Sequence, residues 1–377
     1  MSQEITAISK PASRRILTLD LLRGYFLFDM VLNHLNYWPN GLDWVSARGQ
    51  LFVSGAEGFF LISGIVLGIV RGRKLIDKPL RVPTKLLLKR SWQLYVTYVF
   101  SVLFFTFFGW WVFMNNPGLK FGIAPSDTPL LPLLWNTLTF QYIYGWADYL
   151  RLYVLFILVS PLAVWLLRQG KWWIVMGASV LIWALVPRPL YPDNVWLQPY
   201  HWQLLFFGGL TLGYHWDDVR ERWLRIRAHT RKIIIGSIVS ATVVVIAANI
   251  FLAFGGYLGN SIYDIVAPLR DTLSKPFDKE NLSVYRLIYT SMCFISGFWL
   301  FNKFEPFIKK YFGWILLPFG TNSLYVYTVQ AFLVFFVQMI VPSGGSTVLI
   351  NILLSYATLA LIWLMIRYEI LFKIIPR

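Results

Sequence analysis

Apolar runs about 20 residues long, the length a bilayer-crossing helix needs, constrain this chain more than any other feature. Residues 233–254, for example, contain no Asp, Glu, Lys, Arg or His. Length and periodicity predict spans near 16–37, 51–70, 91–113, 149–167, 172–187, 201–215, 233–254, 286–301, 314–340 and 347–366. Of the 377 residues, 57% are apolar and only 14% charged. A soluble domain carries about a quarter charged residues, so the polar surface here is too small to cover a sphere in water. The 18 Trp, 20 Tyr and 30 Phe suit aromatic belts at two membrane interfaces. The expected architecture is an all-α membrane protein, a polytopic bundle of about ten transmembrane helices plus a re-entrant or interfacial helix.

A net charge of +16 would point to nucleic acid in a soluble protein. Here the basic residues gather between the apolar runs, as in 71–90 and 220–232. That follows the positive-inside rule, which makes membrane lipid the expected partner and excludes nucleic acid. Cys293, the only cysteine, lies within an apolar run, which excludes disulfides and Cys-based metal sites. The first run carries Asp20, Arg23, Asp29 and His34, unlike the plain apolar core of a cleaved signal peptide, and reads as a retained span. The shorter apolar piece 131–144 decides the topology. If it dips in and returns rather than crossing, most of the 34 Lys and Arg fall on one side, with both termini cytoplasmic. The expected organisation is a cytoplasmic tail (1–15), one membrane domain (16–370) and a second cytoplasmic tail (371–377). Two outer segments, the Pro-rich 187–199 and the long polar 255–285, read as loops that serve either as an acceptor-binding surface or simply as tethers between spans.

Ionisable groups inside a span are costly, and each is a functional candidate. Arg23 and His34 are separated by ten residues. That is about 20° past three helical turns, so they share a face about 16 Å apart along the axis. Asp20, three residues before Arg23, is placed to pair with it. Glu57 enters early in the second span, within Ser54-Gly55-Ala56-Glu57-Gly58-Phe59-Phe60, at a depth that reaches His34. Gly55, Gly58 and Gly64 allow the two helices a close approach. A carboxylate holding an imidazole is the arrangement that activates a hydroxyl, and it equally serves two polar groups satisfying each other in a bundle. No HExxH, paired Cys, G-x-G-x-x-G or Walker loop occurs, so neither a metal site nor nucleotide hydrolysis is expected.

At these residues the sequence resembles the acyltransferase-3 superfamily of integral membrane proteins. The match is carried by Arg23 with His34 and by Glu57-Gly58-Phe59-Phe60-Leu61-Ile62-Ser63-Gly64. More specifically it resembles the OpgC branch, through three further segments. These are Arg90-Ser91-Trp92-Gln93-Leu94-Tyr95, then Asp148-Tyr149-Leu150-Arg151-Leu152-Tyr153 with Ser160-Pro161, then Gln198-Pro199-Tyr200-His201-Trp202-Gln203. The sequence departs from the superfamily pattern at Asn33, where an acidic residue often precedes the histidine, at His201, and at Gln330, where a second histidine often stands.

The resemblance implies an acyltransferase of the bacterial inner membrane. It would use acyl-CoA from the cytoplasm as co-substrate, with no permanently bound cofactor, and a periplasmic or extracellular glycan as acceptor. On that reading His34, oriented by Glu57, is the general base or a transient acyl carrier. Arg23, Asp20, Ser63 and Arg90 serve the donor or its channel, and Asp148, Tyr153, His201, Trp202 and Gln203 face the acceptor. The competing reading is a secondary transporter or flippase, but no inverted repeat supports it.

Overall fold

The computed structural model describes residues 16–112, 123–189, 197–342 and 346–375. The tail 1–15 and residues 190–196 of the Pro-rich outer segment lie outside these. Among the described residues every regular element is helical: α1 (Leu17–Leu35), α2 (Gly55–Leu67), α3 (Arg81–Val112), α4 (Leu130–Leu138), α5 (Asp148–Arg168), α6 (Trp172–Leu185), α7 (Gln198–Tyr214), α8 (Ala228–Phe254), α9 (Asn260–Ser274), α10 (Val284–Lys303), α11 (Gly313–Thr321), α12 (Ser323–Ile340) and α13 (Val348–Arg367), with short helical pieces at their joints.

Seven of these elements are long and apolar enough to cross a bilayer, fewer than the expected ten or so. They are α2 with its continuation to Arg73, α3, α5, α8, α10, α12 and α13. The shortfall has a local cause at each place. Helix α1 carries Asp20, Arg23 and Asp29, while α6 and α7 have only 14 and 17 residues. The predicted span 314–340 breaks at Asn322 into α11 and α12. The 9-residue α4, at about 14 Å long, is too short to cross. It buries Leu133 and Thr137 and exposes Leu130, Leu131 and Trp135, as a helix lying against the bundle edge does. The outer segment 255–285, expected as a loop, holds the 15-residue α9. Its Ile265, Leu269 and Leu273 recur at helical spacing and stay exposed, while Val266 packs inward.

Burial separates inner spans from outer ones. In α2, α12 and α5, 72%, 67% and 61% of the apolar window is buried, against 11% in α8, so α8 serves as a lipid-facing wall. Helix α1 packs among α2, α10, α11 and α12, and α2 packs against α7. Glycine makes both approaches possible: a Cβ on Gly64 would collide with the Phe206 carbonyl of α7, and one on Gly24 with the Leu316 carbonyl of α11. Gly64→Val is therefore expected to destabilise the bundle by about 1–3 kcal/mol, the usual cost of overpacking. A thermal melt in detergent checks this, and an unchanged midpoint would mean that α2 and α7 can part freely.

Candidate functional site

His34 lies in the last turn of α1, where helix carbonyls lose their intrahelical partners. Gln338 of α12 caps them, its amide donating to the His34 carbonyl at 2.7 Å. The helix end is thereby fixed, and the half-buried imidazole stacks on Trp146 with ring centroids 4.4 Å apart and planes 17° from parallel. Its Nδ1 is buried without a hydrogen-bond partner. Gln330 lies beside the ring from α12, its own amide atoms also buried and unpartnered. An imidazole nitrogen held in place yet unsatisfied is available to a ligand.

Glu57 does not orient this imidazole directly. It is the third residue of α2 and fully buried, and it folds back to accept the Ser54 amide at 3.0 Å and the Ser54 hydroxyl. This is the capping arrangement that satisfies a helix N-terminus. Its other oxygen accepts from the Arg286 guanidinium of α10 in a buried ion pair. The expected His34–Glu57 hydrogen bond is thus replaced by a Glu57–Arg286 pair, because an N-terminal carboxylate is already claimed by its own turn.

A third group joins the two. Lys279, from the segment between α9 and α10, lies within electrostatic reach of Glu57, His34 and Asp148. Its Nζ stands 5.8 Å from the centre of the Tyr149 ring. The Tyr149 hydroxyl, and then the Glu57 and Glu280 carboxylates, hold the Lys279 amine above its ordinary range against the opposing effect of burial. Asp148, the first residue of α5, faces the same cluster. The Tyr327 hydroxyl sits 3.0 Å from the Trp146 carbonyl and 3.3 Å from the Asp148 carboxylate, tying α12 to the stacking partner of His34. The Trp202 ring packs 5.5 Å from Tyr149 and from Phe60, forming an aromatic floor.

Other predicted residues divide between this site and elsewhere. Trp202 belongs to it. Gln203 spends its amide on the Ser179 carbonyl of α6 at 2.8 Å and on Tyr200 at 3.2 Å, a link between α6 and α7. His201 is fully buried with neither ring nitrogen partnered, near Arg188 and Asp278 rather than His34. Arg23, toward the other end of α1, holds its guanidinium 5.9 Å from the Phe59 ring with Nε buried and unpartnered. Arg90 of α3 lies within electrostatic reach of Arg23, Arg71 and Tyr153. Ser63, also on α2, is buried with its hydroxyl unpartnered, and Asp20 is buried in the first turn of α1. Arg71 lies where α2 continues as a wider π-helix over Gly68–Arg73. Three arginines from three elements converge there, an arrangement that favours an anion.

Sequence reasoning missed Trp146, Lys279, Arg286 and Tyr327. Arg286 was the most accessible of them, being a charged residue at the start of an apolar run. Lys279 sits in the charged stretch Asp278-Lys279-Glu280, which by itself looks like any solvated loop.

These features define an all-α polytopic membrane protein with a polar site toward each end of its first helix. The family model described as OpgC protein matches residues 15–374, nearly the whole chain, and the chain belongs to that family. Membership implies an acyltransferase. Comparison with curated proteins and with solved structures returns no match.

Proposed function

We propose that this protein moves an acyl group, succinyl-like or acetyl-like, from cytoplasmic acyl-CoA to a hydroxyl of a periplasmic or extracellular glycan, with His34 as general base. The observation that carries this reading is the imidazole itself, anchored by stacking and by a capped helix end yet left with an unsatisfied buried nitrogen. The Arg23, Arg71 and Arg90 cluster supports the donor side, since guanidinium groups suit the phosphates of CoA. About 16 Å of helix separates Arg23 from His34, a gap for the flexible arm of the thioester to bridge. In the reaction His34 removes the proton of the sugar hydroxyl, and the hydroxyl oxygen bonds to the thioester carbonyl carbon. The carbon–sulfur bond then breaks, and the thiolate leaves with the proton returned from the imidazole. Tyr149, Trp146 and Trp202 offer apolar faces for a sugar ring, and Asp148 a polar edge. On this reading the protein sits in the bacterial inner membrane with both termini cytoplasmic.

Mass spectrometry of envelope glycans tests it. Cells carrying the protein are expected to show glycans with an added acyl mass that cells lacking the gene do not. Identical glycan masses in the two would end the reading in favour of transport.

A further inference from the structure

Glu57 reaches the neighbourhood of His34 by an indirect route whose links are all on one path. Its carboxylate accepts from Arg286 Nε, and Arg286 Nη1 donates to the Phe277 carbonyl at 3.0 Å. Phe277 opens the segment 277–283, which joins α9 to α10 and meets the first turns of α5 and α7 at Tyr149, Gln198 and Trp202. That segment is pinned along its length. The Trp202 indole N–H donates to the Lys279 carbonyl at 3.1 Å, and the Trp183 indole N–H donates to the Leu282 carbonyl at 2.9 Å. Gln198 donates to the Glu280 carboxylate at 2.6 Å and accepts from Arg151 at 3.3 Å. Asn281 donates to Asp278 at 2.5 Å and to the Pro189 carbonyl at 3.1 Å. A solvated connector does not need two indole donors and a buried ion pair to hold its backbone. So many restraints on so few residues mean that the position of what the segment carries is the point.

What it carries inward is Lys279. We infer that Lys279 is the positioning residue of the site, planted by the Glu57–Arg286–Phe277 chain so that a fixed ammonium stands 5.8 Å from the centre of the Tyr149 ring and within electrostatic reach of His34. The groups facing it are Tyr149 and Asp148 from α5, Glu57 from α2, His34 from α1 and Glu280 from its own segment. The carboxylates offset the charge of the ammonium, while the imidazole is left to take up the proton of an incoming hydroxyl. This gives Glu57 a function that needs no contact with the imidazole. The inference rests on the reading of His34 as the base and names the residue that sets its surroundings.

The test uses purified full-length protein in lipid nanodiscs, with succinyl-CoA as donor probe and short glucan oligosaccharides as acceptor probes. Lys279→Met is expected to lower kcat by about 10- to 100-fold, within the range that general-base catalysis supplies. The donor KM should stay within about twofold, because the donor's phosphate-binding residues lie elsewhere. Lys279→Arg, which keeps the charge, is expected to recover most of the rate. Lys279→Cys is expected to be slow, and alkylation with 2-bromoethylamine, which rebuilds an ammonium at that position, should restore it. A merely structural lysine would show no recovery on alkylation of the same protein sample. A Met variant with wild-type kcat, or a Cys variant that alkylation does not rescue, overturns the inference. His34→Ala in the same assay separates the two levels. If it retains full rate, the reading of His34 as base falls with everything built on it. If it is inactive while Lys279→Met is fast, only the role of Lys279 falls.

Discussion

His34→Ala is expected to reduce acyl transfer by about 10²–10⁴-fold, the contribution of a positioned general base, while leaving the protein folded. The folding half of this expectation comes from the geometry. The α1 end is held by its backbone, through Gln338 donating to the His34 and Leu35 carbonyls, and neither bond involves the imidazole. What the ring contributes to packing is one stacked face on Trp146, and its Nδ1 satisfies no other group. Truncation therefore removes the acceptor nitrogen without stranding a buried partner. The measurement is glycan acylation by mass spectrometry in cells, beside size-exclusion profiles of the purified variant. A monodisperse His34→Ala protein that still acylates at the native rate would show that the base lies elsewhere in the cluster.

Arg286→Met is expected to be the most destabilising of the single changes, at about 3–5 kcal/mol, because it leaves a carboxylate buried without its ion-pair partner. Glu57 has no exposure to solvent, and Ser54 satisfies only one of its oxygens. Arg286 loses its place equally when Glu57 is removed, so the two effects should not add. The double variant Glu57→Met with Arg286→Met is expected to recover much of the loss, since replacing both members of a buried pair by apolar groups is often neutral. Thermal unfolding of all three variants in detergent reads the cycle. Additive losses would mean that the two side chains do not depend on each other. The recovered double variant is expected to stay slow in acyl transfer, because the Arg286 link to the Phe277 carbonyl is gone with the charge.

How much of this was legible follows from how far apart the interacting residues are in the chain. The grouping on α1 was readable, because a helix brings residues eleven positions apart onto one face whatever surrounds it. Arg23 and His34 do lie at opposite ends of that helix, each facing its own polar cluster. The glycines of α2 were also readable as a close-approach surface, and Gly64 meets α7 rather than α1. The partner of Glu57 was not readable. Its arginine lies 229 positions away, and only helix packing sets the two side by side. The seven helices long and apolar enough to cross a bilayer also differ in number from the expected ten or so. Helix α1 is charged and α6 and α7 are short, so length and composition alone do not mark them as spans.

The sequence alone determined that this chain lives in a membrane, is built of helices, and carries unusual polar groups along its first one. Those properties depend on hydrophobic length and helical period, which act over a few turns and need no partner. Which charge meets which was decided only by the tertiary structure. Buried ions must be paired at short range, and in a bundle the nearest opposite charge comes from whichever helix or covering segment packing delivers. That is why Arg286 took the carboxylate expected to hold His34, and why a lysine from the segment between α9 and α10 ended within electrostatic reach of the imidazole.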